Sequence, residues 1–242
     1  KRIFEKGECK KIIAISEMVK RDILKHYQLP EGRVKVVYNG VDLHRFNPSN
    51  TKYFRRELRQ KLKISDEEVM ILFVGSGFER KGLEYLIKSV QYMKQENWRL
   101  VLVGKGKWKR YLGFTSKENR GKITHLEPVD GIEKIYAAAD FFILPSIYEP
   151  FGNANLEALA SGLPIITSRN CGVAEIVTPR KEGIVLEEPS DFKAMAKAID
   201  YLMDLKNREP MRKSARLLAE KFTQERNASE MVQVYKELIE SQ

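Results

Sequence analysis

Histidine and cysteine are scarce in this chain, three of one and two of the other among 242 residues. His26, His44 and His125 stand far apart with no ligand spacing, so no metal site is predicted. Cys9 and Cys171 share no framework of spacings, which argues against a disulfide scaffold and for a reducing, cytoplasmic compartment. No apolar run is long enough to cross a bilayer, and no signal peptide is visible at the N-terminus. There is no Gly-x-Ser-x-Gly elbow, no paired nucleophile and base, no zinc-finger spacing and no aromatic RNA-binding signature. What is present is an ordinary globular composition, 43% hydrophobic and 31% charged, in a chain long enough for one large or two small domains.

Negative charge is also in deficit, and the formal net charge is +10. Nucleic acid, an anionic membrane surface, a phosphorylated small molecule or a plain Lys-rich solvated face would each account for it. The excess gathers in two places: an amphipathic basic stretch from Lys52 to Lys63, and Lys105, Lys107, Lys109 and Arg110 around Gly104 and Gly106. Without an RNA- or DNA-binding signature, nucleic acid is the weakest of these partners.

From Val69 onward, short apolar runs alternate with amphipathic ones. Val69 to Gly75, Leu100 to Gly104, Ile123 to Leu126, Phe141 to Leu144, Pro164 to Thr167 and Gly183 to Leu186 read as buried parallel strands. Between them, Leu83, Leu86, Ile87, Val90 and Met93 form one stripe of a helix predicted over Lys81 to Met93. Shorter helices are expected over Ile132 to Ala139 and Asn153 to Ser161, the latter stopped by Gly162. Three more are expected over Asp191 to Leu205, Met211 to Phe222 and Ser229 to Glu240, the last with Met231, Val234, Tyr235 and Leu238 on one side. The alternation predicts an α/β fold, a Rossmann-like parallel sheet with helices on both faces. Ligands in such folds bind beyond the C-terminal strand ends. The first fifty residues differ. A strand at Lys11 to Ile15, a helix capped by Ser16 and running to about Tyr27, and a strand at Val34 to Val37 cannot bury their own faces. This piece is expected to belong to a preceding domain, and a start on Lys1 rather than Met suggests part of a longer protein.

Two segments after strands have the composition for chemistry. In Glu149-Pro-Phe-Gly-Asn-Ala-Asn-Leu-Glu157 a loop enters a helix whose first N–H groups lack intrahelical partners, an anion site suited to a diphosphate. Gly152 lets a ligand approach the backbone. Glu157, one turn inside, leans back toward the N-terminus, where it could accept hydrogen bonds from vicinal hydroxyls such as those of a ribose, and Glu149 could do so for a sugar. From spacing alone, a dipole-complementing Glu157 and a surface Glu149 explain the residues as well. In Gly75-Ser-Gly-Phe-Glu-Arg-Lys-Gly82, Arg80 and Lys81 fall at the expected helix start. Cations oppose the dipole there unless an anion compensates, which favours a phosphate ligand, but the glycine pattern is no Walker loop and a plain turn with surface charge explains the residues as well.

Together these segments resemble the retaining glycosyltransferases of the GT-B fold. Asn39 to Pro48 is similar to that family's interdomain linker, and Phe73 to Gly82 to its phosphate-contacting loop. Ala137-Ala-Ala-Asp140, Glu149-x7-Glu157 and Ala160-Ser-Gly-Leu-Pro164 follow in the family's order and spacing. The resemblance implies four parts: residues 1–37 as a remnant of the acceptor domain, 38–50 as linker, 51–222 as the nucleotide-sugar-binding domain and 223–242 as a C-terminal helix. It implies that Glu157 holds the ribose, Glu149 the transferred sugar and Lys81 the diphosphate. Gly75, Ser76 and Arg80 would lie on the phosphate loop, Phe151, Gly152, Asn153 and Ala154 would offer backbone N–H groups, and Val129 would meet the base. Lys81 and Glu149 would be the catalytic pair. No cofactor or metal is implied, because the nucleotide-sugar, a UDP-sugar by preference, is a substrate. Ser76 departs from the arginine many members carry, a charge Arg80 would supply. With Cys171-Gly172 in place of paired glycines, it points to the lipopolysaccharide-core glucosyltransferase branch. The partners implied are a nucleotide-sugar donor, the missing acceptor domain and an anionic membrane surface at the cytoplasmic face, with no nucleic acid. The chain alone is expected to bind donor without transferring sugar, and a non-catalytic binding module is the alternative.

Overall fold

The structure, a computed structural model, describes residues 9–240. The first eight residues of the N-terminal piece and the last two of the C-terminal helix lie outside the described residues. The chain begins with β1 (Ile12–Ala14), α1 (Glu17–His26) and β2 (Val34–Val36). The Ser16 hydroxyl accepts from the Val19 N–H as the predicted cap. β1 and β2 pair in parallel. Ile12, Ala14 and Val34 bury against Val19, Ile23 and Leu24 in a small cluster separate from the main core.

After a linker comes α2 (Thr51–Lys61), and then the main unit: β3 (Val69–Val74), α3 (Leu83–Ser89), β4 (Trp98–Val103), α4 (Lys117–Gly121), β5 (Ile123–Leu126), α5 (Ile132–Ala138), β6 (Phe141–Leu144), α6 (Asn153–Ala160), β7 (Ile165–Ser168) and β8 (Gly183–Leu186). The strands form one parallel sheet in the order β5-β4-β3-β6-β7-β8, as the continuous apolar runs require. Met70 to Phe73, in the middle, are fully buried from both faces. The α/β sheet covered by helices is therefore as expected. The chain closes with α7 (Phe192–Met203), α8 (Leu205–Ala219) and α9 (Gln224–Glu240).

Several boundaries differ for local reasons. The helix after β3 starts two residues late because Gly82, at φ 74°, is its N-cap, and it ends at Ser89, whose hydroxyl bonds back to the Leu86 carbonyl at 2.8 Å. The helix expected from Met211 starts at Leu205, where the Asp204 carboxylate caps the Lys206 N–H. The last helix starts five residues early, because the Thr223 hydroxyl accepts from the Arg226 N–H. On it, Val234 points inward but Tyr235 is 59% exposed, so Tyr235 does not belong to the inward stripe.

The basic stretch on α2 is only partly a surface. Arg59 is buried, and its guanidinium reaches the Asp140 carboxylate at 3.1 Å and the carbonyls of Ser65 and Glu68. Arg55 donates to Asp140 at 2.8 Å and to the carbonyls of Ala138 and Ala139. Asp140 also accepts from the Met70 N–H at 2.8 Å, so one carboxylate ties α2 to the starts of β3 and β6. Lys52, Arg56, Lys61 and Lys63 remain exposed.

Candidate active site

β3 and β6 are neighbours although β4 and β5 intervene in sequence, so the chain leaves β3 in one direction and β6 in the other. A crevice opens where the order reverses, beyond the carboxyl ends of the strands. The two glycine-bearing segments picked out in the sequence are the loops that leave these two strands. They touch closely: a β-carbon on Gly82 would sit 1.9 Å from the Pro145 carbonyl oxygen, so only glycine fits.

Contact between the loops brings the predicted catalytic pair together. Lys81 donates to Glu149 Oε2 in a short ion pair, and Arg80 Nη1 reaches the same oxygen at 2.9 Å and the Tyr148 carbonyl at 2.8 Å. The side chains of Lys81 and Glu149 are each only 12% exposed. The Glu149 backbone is fixed on both sides, its N–H on the Asn170 carbonyl and its carbonyl on the Gly172 N–H, each at 2.9 Å. This corrects one expectation. Arg80 and Lys81 precede the helix, and the anion that answers their charge in this chain is Glu149. Their position therefore does not by itself call for a phosphate. Ser76 turns toward the neighbouring loop, where its hydroxyl accepts from the Lys105 N–H at 3.0 Å, and Gly75 packs along the Lys81 stem.

α6 starts beyond Gly152 without a side-chain cap, which leaves its first N–H groups to the crevice. Gly152 has φ 92°, and a β-carbon there would meet Cys171 Sγ at 2.7 Å and Asn155 Nδ2 at 2.8 Å. Burial pushes the Cys171 thiol up to about 11, so it stays protonated beneath the loop. The Phe151 ring is buried, packed near Tyr38. Its part in binding can only be through the backbone.

Glu157 stands one turn into α6, in a cavity of about 190 Å³ shared with Asp42, Arg45, Asn153 and Gln224. Its carboxylate accepts from the Tyr136 hydroxyl at 2.8 Å, while that hydroxyl also lies 3.2 Å from the Ala154 carbonyl. Burial raises the Glu157 pKa, and it outweighs the Tyr136 hydrogen bond and the Arg45 and Lys81 charges, which lower it. Burial and the adjacent carboxylate hold Tyr136 well above the usual phenol range. Asn39 donates to Asn153 at 2.7 Å. The linker is thus a wall of the site, a role that its resemblance to an interdomain connection does not predict. Tyr136 carries a general signal in the sequence, since a buried phenol needs a hydrogen-bond partner, but only the fold supplies Glu157 as that partner.

Val129 is 41% exposed and opens on a different hollow, of about 390 Å³, with Phe54, Leu58, Leu126 and Lys134. The second basic cluster lines a third, of about 570 Å³, where Lys107 and Arg110 face Arg80 and Ile147. His125 is structural: its Nε2 is 2.7 Å from the Gly104 carbonyl and its ring stacks on Trp108. Among the described residues no group of three or more His, Cys, Asp or Glu is placed to hold a metal ion, and no helix is long and apolar enough to cross a membrane. The N-terminal piece holds the Glu149 loop from outside: Ser16 donates to the Pro150 carbonyl at 2.7 Å and Tyr148 to Asp22 at 2.8 Å.

Comparison with known proteins agrees with this geometry. Residues 54–218 match the family of glycosyl transferases group 1, and residues 1–45 match glycosyltransferase family 4. A glycosyltransferase of Methanocaldococcus jannaschii is 33% identical over 96% of this chain and 61% of its own length. The lipopolysaccharide glucosyltransferase WaaG of Escherichia coli is 28% identical over 77% of this chain and 51% of its own. A crystal structure of WaaG superposes with a TM-score of 0.81 at 26% identity, over 90% of this chain and 60% of that one. The chain thus spans less than two thirds of each relative's length. By the family match across its main sheet, and by the arrangement of that sheet, the chain belongs to the group 1 glycosyl transferases and carries their GT-B C-terminal domain.

Proposed function

We propose that this chain forms the donor half of a retaining hexosyltransferase and binds a nucleotide-diphosphate-sugar in the crevice between the β3 and β6 loops. The observation that carries this is the placing of Lys81, Glu149 and Glu157 around the uncapped start of α6. Glu157 takes the ribose hydroxyls and Glu149 the hydroxyls of the transferred sugar. Lys81, Arg80 and the N–H groups of Gly152, Asn153 and Ala154 face the diphosphate, and Val129 offers its backbone to the base. Charge grows on the leaving diphosphate in the transition state, and preorganised cations and N–H dipoles stabilise it there without a metal ion. Lys81 has three donors, so it can keep Glu149 while turning another N–H to phosphate. The acceptor, lipid-linked or polysaccharide, belongs to a preceding domain, and this chain alone binds without transferring. UDP-glucose is the first donor to test, since the similar E. coli protein is named a glucosyltransferase.

Calorimetric titration with UDP-glucose, with GDP- and ADP-glucose alongside, should show saturable binding of one of them. Lys81→Met should weaken that binding about tenfold, the equivalent of about 1.4 kcal/mol. Binding that is absent for all three, or equally tight in Lys81→Met, removes the proposal.

Contact with an anionic membrane at the cytoplasmic face is part of the same reading. It rests on the exposed Lys52, Arg56, Lys61 and Lys63, now without the inward Arg55 and Arg59. The chain should sediment with vesicles containing phosphatidylglycerol and stay in solution with phosphatidylcholine alone, in a salt-sensitive way. Equal partitioning between the two vesicle types contradicts it.

A further inference from the structure

The other end of β6 carries a second group of charges that the donor site does not use. A recess of about 300 Å³ between α2 and α8 is lined by Thr51, Arg55, Asp140, Arg208, Glu209 and Arg212. It shares no residue with the crevice around Glu149 and Glu157. Its guanidiniums come from both helices, with side-chain exposures of 27% for Arg55, 10% for Arg208 and 22% for Arg212.

The charges in this recess do not balance. Asp140 is the one buried carboxylate, and its two oxygens already serve Arg55 at 2.8 Å, Arg59 at 3.1 Å and the Met70 N–H at 2.8 Å. Arg208 stands 3.9 Å from it, outside hydrogen-bond range. Arg212 has only Glu209, also at 3.9 Å, and Glu209 is 65% exposed and turned to water. The three guanidiniums that line the recess thus face two carboxylates, while the buried Arg59 behind them feels Asp66 as well as Asp140. Part of the surplus is met by helix ends: Arg55 caps the carbonyls of Ala138 and Ala139 after α5, and Arg208 those of Leu202 and Met203 at the end of α7. Each such end carries about half a negative charge. Arg208 and Arg212 remain without a carboxylate in hydrogen-bond range beside an open recess. Burial lowers the pKa of both Arg59 and Arg208 against the opposing charge of Asp140, and Arg59 Nε is buried without a partner.

We propose that this recess is a binding site for a phosphate group, that of a small phosphomonoester or orthophosphate, held by Arg212, Arg208 and Arg55. Planar guanidiniums meeting from two helices suit a tetrahedral dianion, which takes charge-assisted bonds from several sides at once. The site has a route to the donor crevice. Arg216, one turn beyond Arg212 on α8, donates to the Phe46 carbonyl in the linker at 3.0 Å and to the Ala160 carbonyl at the end of α6 at 2.9 Å. The helix that supplies Arg208 and Arg212 is thus hydrogen-bonded to the end of the helix that carries Glu157.

The test is thermal unfolding of the chain in sodium phosphate against sodium chloride at equal ionic strength. Phosphate well above its dissociation constant should raise the midpoint by roughly 3 °C or more. The rise should persist in Lys81→Met, which disables the donor crevice, and disappear in Arg212→Gln, each variant judged against its own midpoint in chloride. Glu209→Gln, which removes the competing carboxylate at the mouth, should enlarge it. Equal midpoints in the two salts, a rise lost in Lys81→Met, a rise kept in Arg212→Gln, or no gain in Glu209→Gln would each overturn the site.

Discussion

Glu157→Gln is expected to weaken donor binding about a hundredfold while making the unliganded chain more stable at neutral pH. The two effects share one cause. Glu157 is buried in the wall of a small cavity, and burial raises its pKa above the ordinary 4.5 despite the Tyr136 hydroxyl and the Arg45 and Lys81 charges. Glutamine keeps an oxygen for Tyr136 and removes the buried charge. In the proposed donor site it also removes charge-assisted acceptance from two ribose hydroxyls, each such bond contributing about 1.5–3 kcal/mol. The linkage sign follows from the raised pKa. The favourable contribution of protonated Glu157 is fully present below the unfolded-state pKa and is lost as pH rises through the folded value. Wild type should therefore lose stability relative to Glu157→Gln as pH rises from 4.5 through the folded-state value, and stay behind at neutrality. Melting curves of both proteins from about pH 4 to pH 8, with calorimetry at neutral pH, would check this. A variant that melts lower than wild type at neutrality, or binds donor equally well, contradicts it.

Asp140→Asn should cost the chain about 3–5 kcal/mol of stability, because it leaves buried guanidiniums without their anion. Asparagine can still accept from the Met70 N–H, so the loss reports the charge rather than the strand contact. Arg59, 1% exposed, bears most of it, having no route to water. In a chain of this size the midpoint should fall by roughly 10 °C. Urea unfolding measures the difference directly, and a change below about 1 kcal/mol would mean that the helix-end carbonyls satisfy the arginines without the carboxylate. Donor affinity, measured below the transition, should stay within about twofold, since Asp140 lies at the opposite end of β6.

The contrast between these residues shows where sequence reading reaches and stops. Glu149 and Glu157 were identifiable because a strand, a glycine loop and a helix start are local features with local physics. The direct ion pair of Glu149 with Lys81 was not. Lys81 lies 68 residues away, and its contact depends on β3 and β6 being neighbours. Arg55 and Arg59 looked like solvated charges because the stretch from Lys52 to Lys63 is amphipathic and basic. Nothing local says that an arginine will turn inward to a carboxylate over 80 residues on. Nothing local ties Arg45 in the linker or Tyr136 on α5 to Glu157 in particular: each reaches it from an element distant in sequence.

By itself the sequence determined the α/β class, because unbroken apolar runs ended by glycine are stable only as strands covered on both faces. It also determined the cap at Ser16 and the anion-ready start of α6. The tertiary structure alone decided that Arg80 and Lys81 meet Glu149, that the linker walls the Glu157 cavity, and that an arginine-lined recess lies at the far end of β6. Backbone preferences and burial patterns act over a few residues and are written in order along the chain. Charge pairing acts across space, and its partners are set by strand order, which no short segment contains.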